Sequence, residues 1–175
     1  EVDADRSIPA FVRLTSVGTI DTEYARGTTG RSYLELPALN PMASRYLDVA
    51  SAGVRLDDGS WWFAGYSDYH DPRAAEPFLQ HISPVGTTLG PPVRLPIGSR
   101  AGMFHGLVRD GRKLVAAGAA RRDIIGAVAD VLLARFDETG ALDPTFGVDG
   151  LVRIDVSRAM DIGDERDDAR DIVVL

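Results

Sequence analysis

Short runs of alternating apolar and polar residues recur along this chain, and polar turns rich in Gly and Asp separate them. Period-two alternation bounded by such turns predicts half-buried β-strands. Three segments share one pattern: FVRLTSVGTIDTEY (11–24), FLQHISPVGTTLGPP (78–92) and VLLARFDETGALDPTFG (131–147). Each is an apolar alternating run, a polar turn ending in Gly, and a second short run. The turn glycines are Gly18, Gly86 and Gly140, spaced 68 and 54 residues apart. A second pattern lies between them, as GVRLDDGSWWFAG (53–65) and GLVRDGRKLVAAG (106–118). Both read as strand, Asp-Gly turn, strand, Gly. Asp-Gly between apolar runs predicts a β-hairpin with a type I′ turn, which has positive φ at both central residues. The second copy has one more residue before its closing Gly, which predicts a bulge or a shifted turn.

The two patterns alternate, so each pair supplies four short strands, a to d, in a unit of roughly 55 residues. Four antiparallel strands repeated at that period predict an all-β fold of β-propeller-type blades. The chain opens with a c–d pair (9–36), continues with two full units (46–97 and 101–156), and ends with one more strand a (169–175). This is a partial propeller of about two full blades plus a split blade, forming a single all-β repeat domain over 1–175. Propellers typically close with four to eight blades, and open strand edges invite pairing. More protein is therefore expected to complete it: a further polypeptide carrying additional repeats, or another copy of the chain. The expected origin is a fragment or one half of a nicked precursor.

The segment DVLLARFDETGALDPTFGVDGLVRIDV (130–156) resembles the repeat of the delta-60 family, and the Asp-Gly hairpins resemble the second half of that unit. The other two c–d copies are degenerate, with Thr88 and Leu89 standing where Leu142 and Asp143 do. The resemblance implies a propeller-like β architecture in exported or surface proteins, mostly bacterial, and implies no reaction. The localisation it suggests is secreted, periplasmic or cell surface, with a signal peptide already removed.

Composition changes this picture little. The 175 residues include 20 Asp against 6 Glu, with 18 Gly and 10 Pro, a balance that favours turns over long helices. The formal net charge of −7 makes nucleic acid a poor partner, because binding it needs a basic face. No run approaches the roughly 20 apolar residues of a membrane-spanning helix. The absence of Cys removes disulfides and thiolate chemistry.

Few residues suggest chemistry. SWWFAGYSDYH (60–70) is the densest aromatic stretch. On a strand, Trp61 and Trp62 point to opposite faces. One reading packs both between blades; the other leaves one as a platform for a sugar or a partner, with Tyr66, Tyr69 and His70 at the rim. His105 lies in a candidate strand a, which lines the channel of a propeller, where it is either a polar wall residue or a group that binds metal or moves a proton. His81 alternates with apolar residues and reads as structural. DIGDERDDARD (161–171) offers Asp161, Asp164, Glu165, Asp167 and Asp168. Calcium favours such oxygen-rich loops, but the order of ligands in a helix–loop–helix calcium site is absent, and a solvated acidic loop fits as well. The nucleophile-elbow, zinc-protease and phosphate-loop motifs are missing. The preferred expectation is a non-enzymatic scaffold or recognition module without a cofactor, calcium being the one possible ion. The alternative is part of a propeller hydrolase or lyase with a channel site and a divalent cation.

Overall fold

A computed structural model describes residues 6–25, 30–34, 36, 46–67, 75–95, 101–122, 128–156 and 167–174. The described chain is built of strands β1 (Arg6–Ser7), β2 (Ala10–Val12), β3 (Arg31–Tyr33), β4 (Tyr46–Leu47), β5 (Val49–Arg55), β6 (Trp61–Ser67), β7 (Glu76–Ile82), β8 (Val93–Arg94), β9 (Gly102–Asp110), β10 (Lys113–Arg121), β11 (Ala129–Asp137) and β12 (Leu151–Ile154). They form two four-stranded antiparallel sheets, β5-β6-β7-β8 and β9-β10-β11-β12, each a propeller blade with its strands in chain order. The antiparallel pair β2-β3 is the c–d half of a split blade, and β1 pairs in parallel with β4. The two four-stranded blades and the separate c–d pair are the architecture that the alternation predicts.

The three c–d turns share one geometry. Gly18, Gly86 and Gly140 have φ of 84°, 85° and 87°. Their amides donate to the carbonyls of Thr15, Ser83 and Asp137, each at 3.0 Å. The left-handed conformation is why Gly closes every copy.

The hairpin turns correct the type I′ expectation. Among the described residues, the non-glycine positions with positive φ are Ala25 and Asp149, so neither hairpin has the required pair. In the first blade the Gly59 amide donates to the Leu56 carbonyl at 3.0 Å, and Gly59, at φ 84°, follows Asp57 and Asp58. This is a three-residue loop closed by a left-handed Gly. In the second blade Asp110 pairs with Lys113, which leaves the two-residue turn Gly111-Arg112 with positive φ only at Gly111. The extra residue of the second copy is thus absorbed by a shorter loop and a longer strand b.

Both blades also carry a bulge at one place. Ala50 faces Gly65 and Ala52 faces Ala64, so Ser51 is extra. Phe104 faces Gly118 and Gly106 faces Ala117, so His105 is extra. A Cβ on Gly65 or Gly118 would run into the carbonyl of Val49 or Met103, and Gly permits that close approach.

Alternation along β6 divides the core in two. Trp62 and Ala64 join Leu79, Phe104, Leu114, Ala116, Leu132 and Phe136 between the two full blades. Trp61 and Phe63 face the other way, towards Phe11, Leu34, Leu36, Phe78 and Ile82 beside the split pair. The expected terminal strand a forms no ladder over its described part, 169–174. The segment instead lies against β9 and β10: the Ala169 amide donates to the Gly118 carbonyl of β10 at 3.3 Å, and Asp171 abuts Gly106 of β9.

Candidate interaction groove

Polar side chains cluster at the c–d returns. In the second blade the Asp143 carboxylate accepts from the Thr145 hydroxyl (2.7 Å) and amide (3.1 Å) and from Arg135 Nε (2.9 Å), while Arg135 lies 4.7 Å over the Phe146 ring. The split pair repeats this clamp. Asp21 accepts from Arg13 Nε (2.8 Å) and the Glu23 amide (3.0 Å), and Arg13 lies 5.1 Å over Tyr24. The middle return keeps the backbone pattern but lacks the clamp. The Leu89 amide donates to the His81 carbonyl just as the Asp143 amide donates to that of Arg135, both at 2.8 Å. His81 therefore stands in the arginine's place. It stacks on Trp62 (4.5 Å, 6°) and donates from Nε2 to Ser60 Oγ (2.9 Å), because that hydroxyl itself donates to Asp58 (2.6 Å). Burial pulls the imidazole pKa down, and the Asp58 charge opposes it.

Between β2 and the first blade lies a groove of about 600 Å³ whose walls include Phe11, Arg13, Tyr24, Arg55, Trp61 and Phe63. Phe11 and Phe63 meet at 4.1 Å between ring centroids, and Trp61 stacks beside Phe63 at 5.9 Å and 12°. Burial raises the Tyr24 phenol pKa, with Arg13 opposing it. Residues 10–13 of β2 and its continuation line the groove. β2 has β3 on one edge and, among the described residues, no strand on the other.

The residues singled out in sequence scatter. Trp61 lines the groove. Trp62 is 3% exposed and packs between the blades, its ring against Gly140, so it offers no surface to a ligand. Tyr66 points its ring edge-on to His105 at 5.8 Å, away from the groove. Tyr69 and His70 lie outside the described residues. The bulge residue His105 meets Asp168 at 3.3 Å, with side chains 12% and 10% exposed, and Arg170 holds the same carboxylate at 2.9 Å. This couple ties the terminal segment to β9.

Of the expected calcium loop, Asp161, Asp164 and Glu165 lie outside the described residues, and Asp167 and Asp168 diverge. Asp167 accepts from the Val156 amide (2.6 Å), and its carboxylate gathers with those of Asp130 and Asp155 within 4.8 Å. Arg122 bridges Asp130 and Asp155, the latter at 2.5 Å, so a guanidinium already supplies positive charge to two of the three carboxylates. Asp130 and Asp155 went unflagged in sequence because the three acids come from separate segments. Phe11 and Arg55 were missed as well. Phe11 was visible as the first residue of the first c–d copy, whereas Arg55 carries no local signal.

A family model described as "Domain of unknown function (DUF5122) beta-propeller" matches residues 112–146. No curated protein matches the chain. The matched stretch takes in the whole of β10 and β11 and the Asp143–Phe146 clamp, and with the two four-stranded antiparallel blades it makes this chain a β-propeller-type repeat protein.

Proposed function

We propose that the chain is a non-enzymatic scaffold and recognition module of the delta-60 kind, which engages other polypeptides by strand addition at the split blade. The observation that carries this reading is the edge of β2, free among the described residues, which opens onto an aromatic groove. Exposed sheet edges template further strands, and backbone pairing combined with side-chain pockets is a general mode of β-recognition. The partner is a polypeptide bearing further repeats, or a second copy. The reading includes an extracytoplasmic location, on the resemblance alone. Native mass spectrometry beside a denatured run tests it. A second repeat-bearing polypeptide, or an integer multiple of 18.8 kDa that Phe11→Asp dissociates, is expected. A lone monomer indifferent to both Phe11→Asp and added repeat polypeptides would overturn it.

The second reading, a channel hydrolase or lyase, is favoured by the half-buried His105–Asp168 couple alone. A stoichiometric divalent metal lost on Asp167→Asn would turn the balance towards it.

A further inference from the structure

The two blades repeat closely enough to show what each position should meet. Gly65 and Gly118 sit opposite equivalent bulges, and counting from them sets the pair Arg55–Trp61 level with the pair Arg109–Leu114. Arg109 reaches across to the preceding blade. Its two terminal nitrogens donate to the two carboxylate oxygens of Asp57, each at 2.8 Å, in the hairpin turn of that blade. It also contacts Glu138, at its own c–d turn, at 3.4 Å. The pairing holds the Asp57 carboxyl below its usual pKa and raises that of Arg109.

Arg55 occupies the same place one blade earlier. The residue equivalent to Glu138 there is Pro84, and the guanidinium rests beside Gly59 and Pro84 at the groove wall. Among the described residues the Arg55 side chain has no hydrogen bond, ion pair or ring contact, its backbone being paired with Trp61 in the ladder. The apolar side matches this gap. Leu114 and Ala116 of β10 pack on Trp62 and Ala64 of the first blade. Their equivalents, Trp61 and Phe63, face the groove instead, beside the free edge of β2.

We propose that the groove seats a strand–turn–strand hairpin of the same repeat type from a further repeat. Its second strand pairs with the free edge of β2, as β6 pairs with β7. Its apolar side chains cover Trp61 and Phe63. Its turn carries a carboxylate that takes Arg55 as Asp57 takes Arg109. This deepens the strand-addition function above and rests on it.

The probe is a peptide of residues 49–67, VASAGVRLDDGSWWFAGYS, which includes Asp57 and is cyclised through its termini so that the hairpin is preformed. It is titrated against the 175-residue protein and against its Arg55→Glu variant, whose substitution lies on an exposed side chain. Binding to the wild type, weakened about tenfold by Arg55→Glu through loss of the pair and like-charge repulsion, is expected. The Asp57→Arg peptide should show the reverse preference. Binding indifferent to both charge changes would overturn the carboxylate–Arg55 pairing and leave strand addition standing. No binding, with a monomeric protein, would overturn both. Capture of a small anionic ligand by Arg55, with the peptide excluded, would also overturn the hairpin as occupant.

Discussion

Asp143 shows how a single side chain can fix a blade's return. Donation by the Thr145 hydroxyl and amide, then the nearby Lys113 and Arg135 cations, hold its carboxyl well below the usual carboxylate range. A folded-state pKa below the unfolded value of about 3.9 means that the stabilisation is complete above that value. It is lost as pH falls through the folded-state value. Asp143→Asn should therefore melt below the wild type at neutral pH, and the gap should close on acidification below about pH 4. Thermal melts followed by circular dichroism check this; a gap unchanged down to pH 2 would remove the charge as its source. Trp62 makes a second case. Trp62→Ala should cost about 3–5 kcal/mol in urea denaturation. Trp62→Phe should cost clearly less, because the buried indole N–H has no hydrogen-bond partner to lose. Equal costs would contradict the packing role.

At the scale of the element, the hairpin of strands a and b is the unit that repeats, and its bulge sets the register. Gly118→Ala forces a side chain against the Met103 carbonyl and should destabilise by about 1–3 kcal/mol. It should also disturb His105, the bulge residue beside it. A neutral effect would mean that the close approach relaxes freely. The alternation of Trp61 and Trp62 was legible, because a strand has only two faces. So were the three c–d turns, whose glycines are forced by one backbone conformation. The hairpin type was not legible, since Asp-Gly serves both a left-handed closing Gly after Asp57-Asp58 and a two-residue turn at Gly111-Arg112. The lack of a partner at Arg55 was invisible for a related reason: the two hairpin loops differ, so aligning Asp58-Gly59 with Asp110-Gly111 sets Arg55 against Leu107 and hides its match to Arg109. The Asp130, Asp155 and Asp167 cluster joins three segments that only the folded blade brings together.

For the whole molecule, one closed interface and one open one follow from the same repeat. The face between the two full blades is filled by large side chains, with Phe104 edge-on to Phe136 at 6.3 Å. The face beside the split pair keeps Phe11, Trp61 and Phe63 along a groove. Amide hydrogen exchange compares the two interfaces directly. In the isolated chain, residues 10–12 of β2 should exchange much faster than residues 114–120 of β10, which has a strand on both sides. Addition of the cyclised 49–67 peptide should slow exchange in β2 and leave β10 unchanged. Slow exchange in β2 of the isolated monomer, or fast exchange that the hairpin never alters, would contradict strand addition at the split blade.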